Sequence, residues 1–144
     1  MGQEFTHRIR VRYAECDPQG VVFNANYYAY YDLLLTELWR AAIGSYGAML
    51  ENGDDLSVVE SRARFISPAR FDDELDLTAR ITRLGNTAMT TKIDITKADG
   101  TPVTEGEIHH VFIDPVTYSK RPIPDYMRTA LVPYLVVSEA EAPA

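Results

Sequence analysis

Residues 13–27 read YAECDPQGVVFNANY, and the periodicity of the chain changes across this stretch. Before it, residues 7–14 alternate between arginines and apolar or aromatic side chains, which predicts a half-buried strand. After it, residues 27–43 carry apolar side chains at helical spacing around most of the circumference, which predicts a helix largely enclosed by other structure. Pro18 and Gly20 break the strand and predict a turn between the two elements.

The ends of the predicted helix carry residues typical of helix termini. We expect Asn24 or Asn26 to cap the start with its side chain, and Gly44 stands where the helix should end. Three polar residues at i, i+4 spacing form one narrow stripe: Asp32, Thr36 and Arg40. Because the rest of the helix surface is apolar, the helix needs a large partner surface to cover it.

The remainder of the chain is predicted to form mostly strands joined by tight turns. Four strands are expected, at residues 56–66, 75–81, 89–96 and 103–113. Asp99 and Gly100 predict a hairpin, because this pair suits a turn with positive φ, and a short helix is expected near residues 125–134. The order predicts an α+β fold in which an antiparallel sheet buries one long helix. Residues 1–137 are expected to form this one domain and residues 138–144 a disordered tail.

Composition and charge narrow the class of partner. The chain has 144 residues, enough for one domain, and its formal net charge of -7 argues against nucleic acid or an anionic membrane as the main partner. The single cysteine, Cys16, excludes an intramolecular disulfide. No apolar run approaches the roughly 20 residues that span a bilayer, and the first residues do not look like a signal peptide. We therefore expect a cytoplasmic protein.

The stretch 13–27 resembles the signature of the 4-hydroxybenzoyl-CoA thioesterase family, which includes short-chain acyl-CoA thioesterases associated with cell-envelope proteins. In that family an Asp follows the first strand, a Gly and an apolar-aromatic stretch come next, and Asn-Tyr opens the central helix. Here these residues are Asp17, Gly20, Asn26 and Tyr27. Residues 67–75, SPARFDDEL, resemble the family's link into its second long strand, and the similarity extends over residues 8–123.

The resemblance implies a hotdog fold, in which the sheet wraps around the central helix. It also implies that two subunits join their sheets edge to edge with the active sites at the dimer interface, and that pairs of dimers form tetramers in many relatives. The implied reaction is hydrolysis of an aryl-, short-chain or medium-chain acyl-CoA to the free acid and coenzyme A. No metal and no separate cofactor is implied, because coenzyme A is part of the substrate.

The resemblance further implies residue roles. Asp17 acts as nucleophile or general base, and the backbone N–H near Asn24, at the start of the helix, polarises the thioester carbonyl. Four residues are expected to bind substrate: Gly20, Tyr27, Asn86 and Thr87. Among them, Tyr27 lines the acyl pocket, and the turn at 85–87 matches a region where some relatives contact the nucleotide. The family's branches usually carry His or an aromatic residue where this chain has Asn24, so this position does not identify the acyl group.

Other interpretations of the same residues stay open. Asp17 before Pro18 is also typical of a plain turn. Cys16 is a weaker candidate nucleophile, because free cysteines are usually small buried hydrophobes. His109 and His110 lie in a predicted strand, where packed histidines are more common than catalytic ones. The alternative functions are a hotdog dehydratase or hydratase, whose Asp-x-x-Pro-x-His type of motif is missing from this sequence, and a non-catalytic acyl-thioester binding module.

Overall fold

The structure is a computed structural model that describes residues 2–136. In chain order its strands and helices are β1 Phe5–Arg10, α1 Asn26–Ile43, α2 Tyr46–Glu51, β2 Asp55–Phe65, β3 Glu74–Leu84, β4 Ala88–Lys97, β5 Pro102–Ile113 and α3 Asp125–Leu131. Two 3₁₀ turns, Tyr13–Glu15 and Val132–Tyr134, complete the regular structure of these residues. The tail predicted for residues 138–144 lies outside the described residues.

One antiparallel sheet with the strand order β1-β3-β4-β5-β2 covers helix α1. The helix buries Tyr31, Leu34 and Leu38 completely. The strands present every second side chain to the helix, since a strand has a period of two residues. Leu77 of β3, for example, pairs with Ile95 of β4, and both side chains are fully buried. This arrangement confirms the α+β hotdog fold. None of the helices within residues 2–136 is long and apolar enough to cross a membrane.

Helix α1 ends as predicted but starts differently. Gly44 follows its last turn with φ 93°, a left-handed conformation that glycine adopts without strain. No side chain caps the start, so the prediction that Asn24 or Asn26 caps the helix is wrong. The Nδ2 atom of Asn26 instead donates a 2.8 Å hydrogen bond to the carbonyl of Glu15. This bond attaches the helix to the chain that precedes it.

The strand predicted for residues 7–14 is shorter at its end than expected. Strand β1 ends at Arg10, and the chain then enters the 3₁₀ turn. Glu15 closes this turn, because its carboxylate accepts hydrogen bonds from the Arg12 N–H at 2.8 Å and from the Arg12 guanidinium at 2.9 Å. Tyr13, expected on the buried face of the strand, is therefore 80% exposed.

Gly106 of β5 lets helix α1 approach the sheet closely. A Cβ atom at this position would lie only 2.5 Å from the Cε2 and Cζ atoms of Tyr31. The Tyr31 hydroxyl also forms a 2.8 Å hydrogen bond with the hydroxyl of Thr104 in the same strand. The ring and its hydroxyl together fix the position of the helix over the sheet.

Gly106→Ala is expected to destabilise the fold by about 1–3 kcal/mol, because the added methyl overlaps the Tyr31 ring and forces the ring or the helix to move. Urea unfolding measures the change in the free energy of unfolding. Gly47→Ala in α2 is the matched control, since a Cβ there would meet nothing closer than Ser45 Oγ at 3.6 Å. This control should be neutral or more stable by up to about 1 kcal/mol. Equal stabilities for wild type and Gly106→Ala would contradict the close approach.

Candidate active site

The chain between β1 and α1 folds into a short antiparallel loop that carries Asp17 near its tip. Cys16 and Val22 form a bridge, and the Asp17 N–H donates to the carbonyl of Val21 at 2.8 Å. The N–H of Gly20 donates to the carbonyl of Asp17 at 2.9 Å. Gly20 has φ 79°, in the left-handed region where other residues are strained. Gly20 therefore shapes the turn through its backbone conformation.

The Asp17 carboxylate is half-buried and is held on one side. Its Oδ1 atom accepts a 2.8 Å hydrogen bond from the N–H of Gln19, which is the geometry of an Asx turn. Within residues 2–136 no hydrogen bond engages Oδ2. Burial is the main reason that the pKa of Tyr27 is raised, and the nearby Asp17 carboxylate adds to this effect. The turn role of Asp17 and a chemical role are thus compatible.

The start of α1 presents the backbone group that was predicted to polarise a carbonyl. The N–H of Asn26 is bonded to Phe23 O at 2.8 Å, and the N–H of Tyr27 contacts Asn24 O at 3.3 Å. The N–H of Asn24 itself donates to no residue of the described chain. An N–H at a helix start stabilises negative charge together with the positive end of the helix dipole. The structure places this group at the end of α1 against which the Asp17 loop folds.

An apolar cavity of about 260 Å³ opens beside the start of α1. Its lining includes Val22, Asn24, Tyr27, Phe65 and Pro68. The Tyr27 side chain is buried, and its hydroxyl accepts a 3.2 Å hydrogen bond from the N–H of Ala69. The ring is therefore anchored at both ends and forms a fixed wall. A cavity of this size and polarity can hold the hydrocarbon or aryl part of an acyl group.

Glu15 joins the loop to helix α1, a role that the sequence analysis missed. Its carbonyl accepts hydrogen bonds from the Phe23 N–H at 2.9 Å and from the Asn26 side chain at 2.8 Å. Its carboxylate accepts from the Arg12 N–H and from the Tyr30 hydroxyl, both at 2.8 Å. Burial by itself would raise the pKa of Glu15, but these hydrogen bonds outweigh burial and hold the pKa below its ordinary value. The Glu three residues after Arg12, at capping-box spacing, is the signal that could have predicted this turn.

Asn86 and Thr87 lie far from Asp17 within one chain. The Asp17 loop pairs with the chain just before β3, whereas Asn86 and Thr87 follow the end of β3. The 11 residues of β3 span roughly 33 Å at about 3.3 Å per residue. The carbonyls of Asn86 and Thr87 accept hydrogen bonds from Ile123 and Phe112, each at 2.8 Å. The structure thus brings together Asp17, Gly20 and the cavity residues, but not these two.

The other reactive side chains noted in the sequence are partly or fully buried. The Cys16 thiol is half-buried, 3.8 Å from the carbonyl of Arg12. His109 Nδ1 lies 3.2 Å from the Thr90 hydroxyl. His110 is buried, and this burial together with repulsion from His109 lowers its pKa to about 4, so the ring is neutral at neutral pH. Among residues 2–136 no three His, Cys, Asp or Glu side chains lie close enough to hold a metal ion.

Comparison with known proteins gives the family. The model of the thioesterase superfamily matches residues 19–104. The chain is 31% identical over 120 residues to the acyl-CoA thioester hydrolase YbgC of Escherichia coli, covering 83% of this chain and 90% of that protein. A protein of Thermus thermophilus named TT1821 has a TM-score of 0.84 at 27% identity, with 93% of this chain and 99% of that chain covered. The 1,4-dihydroxy-2-naphthoyl-CoA thioesterase Slr0204 of Synechocystis shares the fold with a TM-score of 0.83 at 23% identity, over 90% and 96% of the two chains. This chain therefore belongs to the thioesterase superfamily of thioester hydrolases.

Proposed function

We propose that the protein is an acyl-CoA thioesterase, which hydrolyses an aryl-, short-chain or medium-chain acyl-CoA to the free acid and coenzyme A. One observation carries the proposal: the loop with an unengaged carboxylate oxygen of Asp17 folds against the start of α1, where Asn24 has an unused N–H and lines an apolar cavity. The similarity to YbgC supports coenzyme A as the carrier of the acyl group. A cytoplasmic location belongs to this proposal, because acyl-CoA is a metabolite of the cell interior.

Asp17 can start the reaction by either of two routes. As a general base, its carboxylate takes a proton from water, and the water oxygen adds to the thioester carbonyl carbon. As a nucleophile, its oxygen adds to that carbon itself, and water later hydrolyses the resulting anhydride. Both routes place negative charge on the carbonyl oxygen, where the N–H of Asn24 and the positive end of α1 stabilise it. The carbon–sulfur bond then breaks, and the coenzyme A thiolate takes a proton and leaves.

Asp17→Asn should lower kcat by at least about 10²- to 10⁴-fold, because the substitution keeps the shape of the side chain and removes its charge. KM should change far less, since the cavity and the helix start remain. The measurement is steady-state hydrolysis of a panel of aliphatic and aryl acyl-CoAs, with the released thiol trapped.

Asp99→Asn is the matched control for this variant. Asp99 also accepts a hydrogen bond from the N–H two residues later, that of Thr101 at 2.9 Å, but it lies in the β4–β5 hairpin and not in the loop before α1. This control should keep the wild-type kcat, and both variants should keep their turns and therefore most of their stability. A wild-type kcat for Asp17→Asn on the best substrate would end the assignment of Asp17.

We also propose that a second copy of the chain completes the substrate site. The Asp17 loop pairs with the chain just before β3, whereas Asn86 and Thr87 follow β3, which is roughly 33 Å long. A single chain is therefore not expected to present them to the thioester that lies at its own Asp17. In a dimer they can contact the nucleotide end of a coenzyme A whose thioester lies at Asp17 of the partner subunit. Gly20 and Tyr27, by contrast, lie beside the Asp17 of their own chain.

Strand β2 is the surface that we propose to join the two copies. It ends the sheet, and within residues 2–136 no strand pairs with its outer edge. Val58, Val59 and Phe65 each expose more than half of their surface. A long unpaired edge with exposed apolar side chains is typical of a strand that pairs with another chain. Antiparallel pairing of two β2 strands gives a homodimer, and two such dimers can pair into a tetramer.

Val59→Lys should shift the protein from dimer to monomer at low concentration, because a charge replaces an apolar side chain on the pairing edge. Light scattering over a dilution series measures the mass, and turnover per chain should fall as monomer accumulates. Val116→Lys is the matched control, since Val116 is 85% exposed on a loop, and it should leave mass and turnover unchanged. A wild-type protein that is monomeric and fully active would contradict the proposed dimer.

A further inference from the structure

Tyr30 is the only residue of α1 beyond its first turn, among those described, whose side chain bonds to the 3₁₀ turn Tyr13–Glu15. Its hydroxyl donates a 2.8 Å hydrogen bond to Oε1 of Glu15. Glu15 stands two residues before Asp17, at the base of the loop, and its carbonyl holds Phe23 and Asn26 at the helix start. One residue thus connects the loop that carries Asp17 to helix α1, which begins two positions after Asn24.

The two side-chain partners of the Glu15 carboxylate differ in how strongly they can hold it. The Arg12 side chain is 80% exposed, so solvent screens its ion pair with Glu15. Exposed ion pairs of this kind contribute little to stability. The Tyr30 side chain is buried at 3% exposure, and the Glu15 side chain is only 16% exposed. A hydrogen bond from a buried hydroxyl to an ionised carboxylate is among the stronger kinds. The Tyr30 hydroxyl therefore fixes the Glu15 carboxylate relative to the helix, while the Asn26 side chain holds the Glu15 carbonyl.

The Tyr30 ring has a separate packing role. It makes an edge-on contact with the ring of Tyr27, with centroids 5.9 Å apart, and Tyr27 lines the apolar cavity. Phenylalanine at position 30 keeps this ring contact and loses only the bond to Glu15. The hydroxyl can therefore be tested without removing a wall of the cavity.

We propose that Tyr30 is a positioning residue, which acts through Glu15 to set the distance between the Asp17 carboxylate and the Asn24 N–H. This inference rests on the proposed thioesterase function and adds a residue to it. Reacting groups must meet within a few tenths of an ångström, and a misplacement of about 1 Å can cost about 100-fold in rate. Without the hydroxyl the loop can shift relative to α1, while the acyl group still enters the same cavity. The variant should therefore lose activity through a lower kcat and not through a higher KM.

The test compares Tyr30→Phe with Tyr126→Phe. Tyr126 also donates a 2.8 Å hydrogen bond to a carboxylate, that of Asp54, but it lies on α3 away from the loop. Tyr30→Phe should lower the melting temperature at least as much as Tyr126→Phe, because Tyr30 is buried and Tyr126 is 37% exposed, so stability alone does not isolate the role of Tyr30. Only Tyr30→Phe should lose kcat, by roughly ten- to 100-fold, with KM changed by no more than about threefold.

Glu15→Gln tests the acceptor side of the same contact. Glutamine keeps the length of the side chain and one acceptor oxygen but removes the charge, so it should lower kcat in the same direction as Tyr30→Phe. Glu37→Gln is its matched control, because Glu37 also pairs with an arginine three residues away, Arg40, on the exposed face of α1. This control should keep the wild-type kcat.

A double variant shows whether Tyr30 acts through Asp17. If the hydroxyl only positions Asp17, then kcat of the double variant should be less than about twofold lower than kcat of Asp17→Asn alone. The inference is overturned if kcat of the double variant falls by the product of the two single-variant reductions. It is also overturned if Tyr30→Phe and Tyr126→Phe have equal kcat values. In both cases the wild type still hydrolyses acyl-CoA and the proposed function stands. A wild type that hydrolyses no acyl-CoA overturns the proposed function itself, and this inference with it.

Discussion

The contact between the Tyr31 ring and the bare backbone of Gly106 is the constraint on which the rest of the structure depends. It fixes how close α1 lies to the sheet, and the Thr104 hydroxyl fixes how the helix is turned. In this position α1 meets the loop that follows β1, where the side chains of Asn26 and Tyr30 bond to Glu15. A packing contact in the apolar core therefore positions the polar groups of the candidate site, because one rigid helix connects the two.

The periodicity of the sequence was enough to predict most of this fold. Strand β3 alternates strictly, with Leu75, Leu77, Ala79 and Ile81 buried, and Gly44 ends the helix as expected. The failures occur where a side chain bonds to the backbone locally. Glu15 turns the chain after β1, and Asn26 bonds to Glu15 and not to its own helix. Helix α2 was missed for a similar reason, since Ser45 caps it through a single bond to the Ala48 N–H and it is only six residues long.

The sequence predicts only those parts of the candidate site whose residues are close together along the chain. Asp17, Gly20 and Tyr27 lie within eleven positions of one another, and the turn signals between them place them at one end of α1. The link through Tyr30 depends on the rotation of the helix about its axis, which periodicity gives only approximately. Asn86 and Thr87 follow the far end of β3. In the proposed dimer their relation to Asp17 depends on the second subunit, and the sequence pattern of one chain does not contain that information.

The charges on β2 have a consequence for the single chain. An open strand edge eleven residues long is a template for indiscriminate pairing and aggregation. Its exposed valines, however, are followed by Glu60, Arg62 and Arg64, and Glu60 and Arg62 form a 3.3 Å ion pair on that strand. Charged residues that flank an apolar strand act as gatekeepers, because any wrong partner must bury them. These charges therefore disfavour wrong pairing at the β2 edge, the edge that the proposed dimer would use.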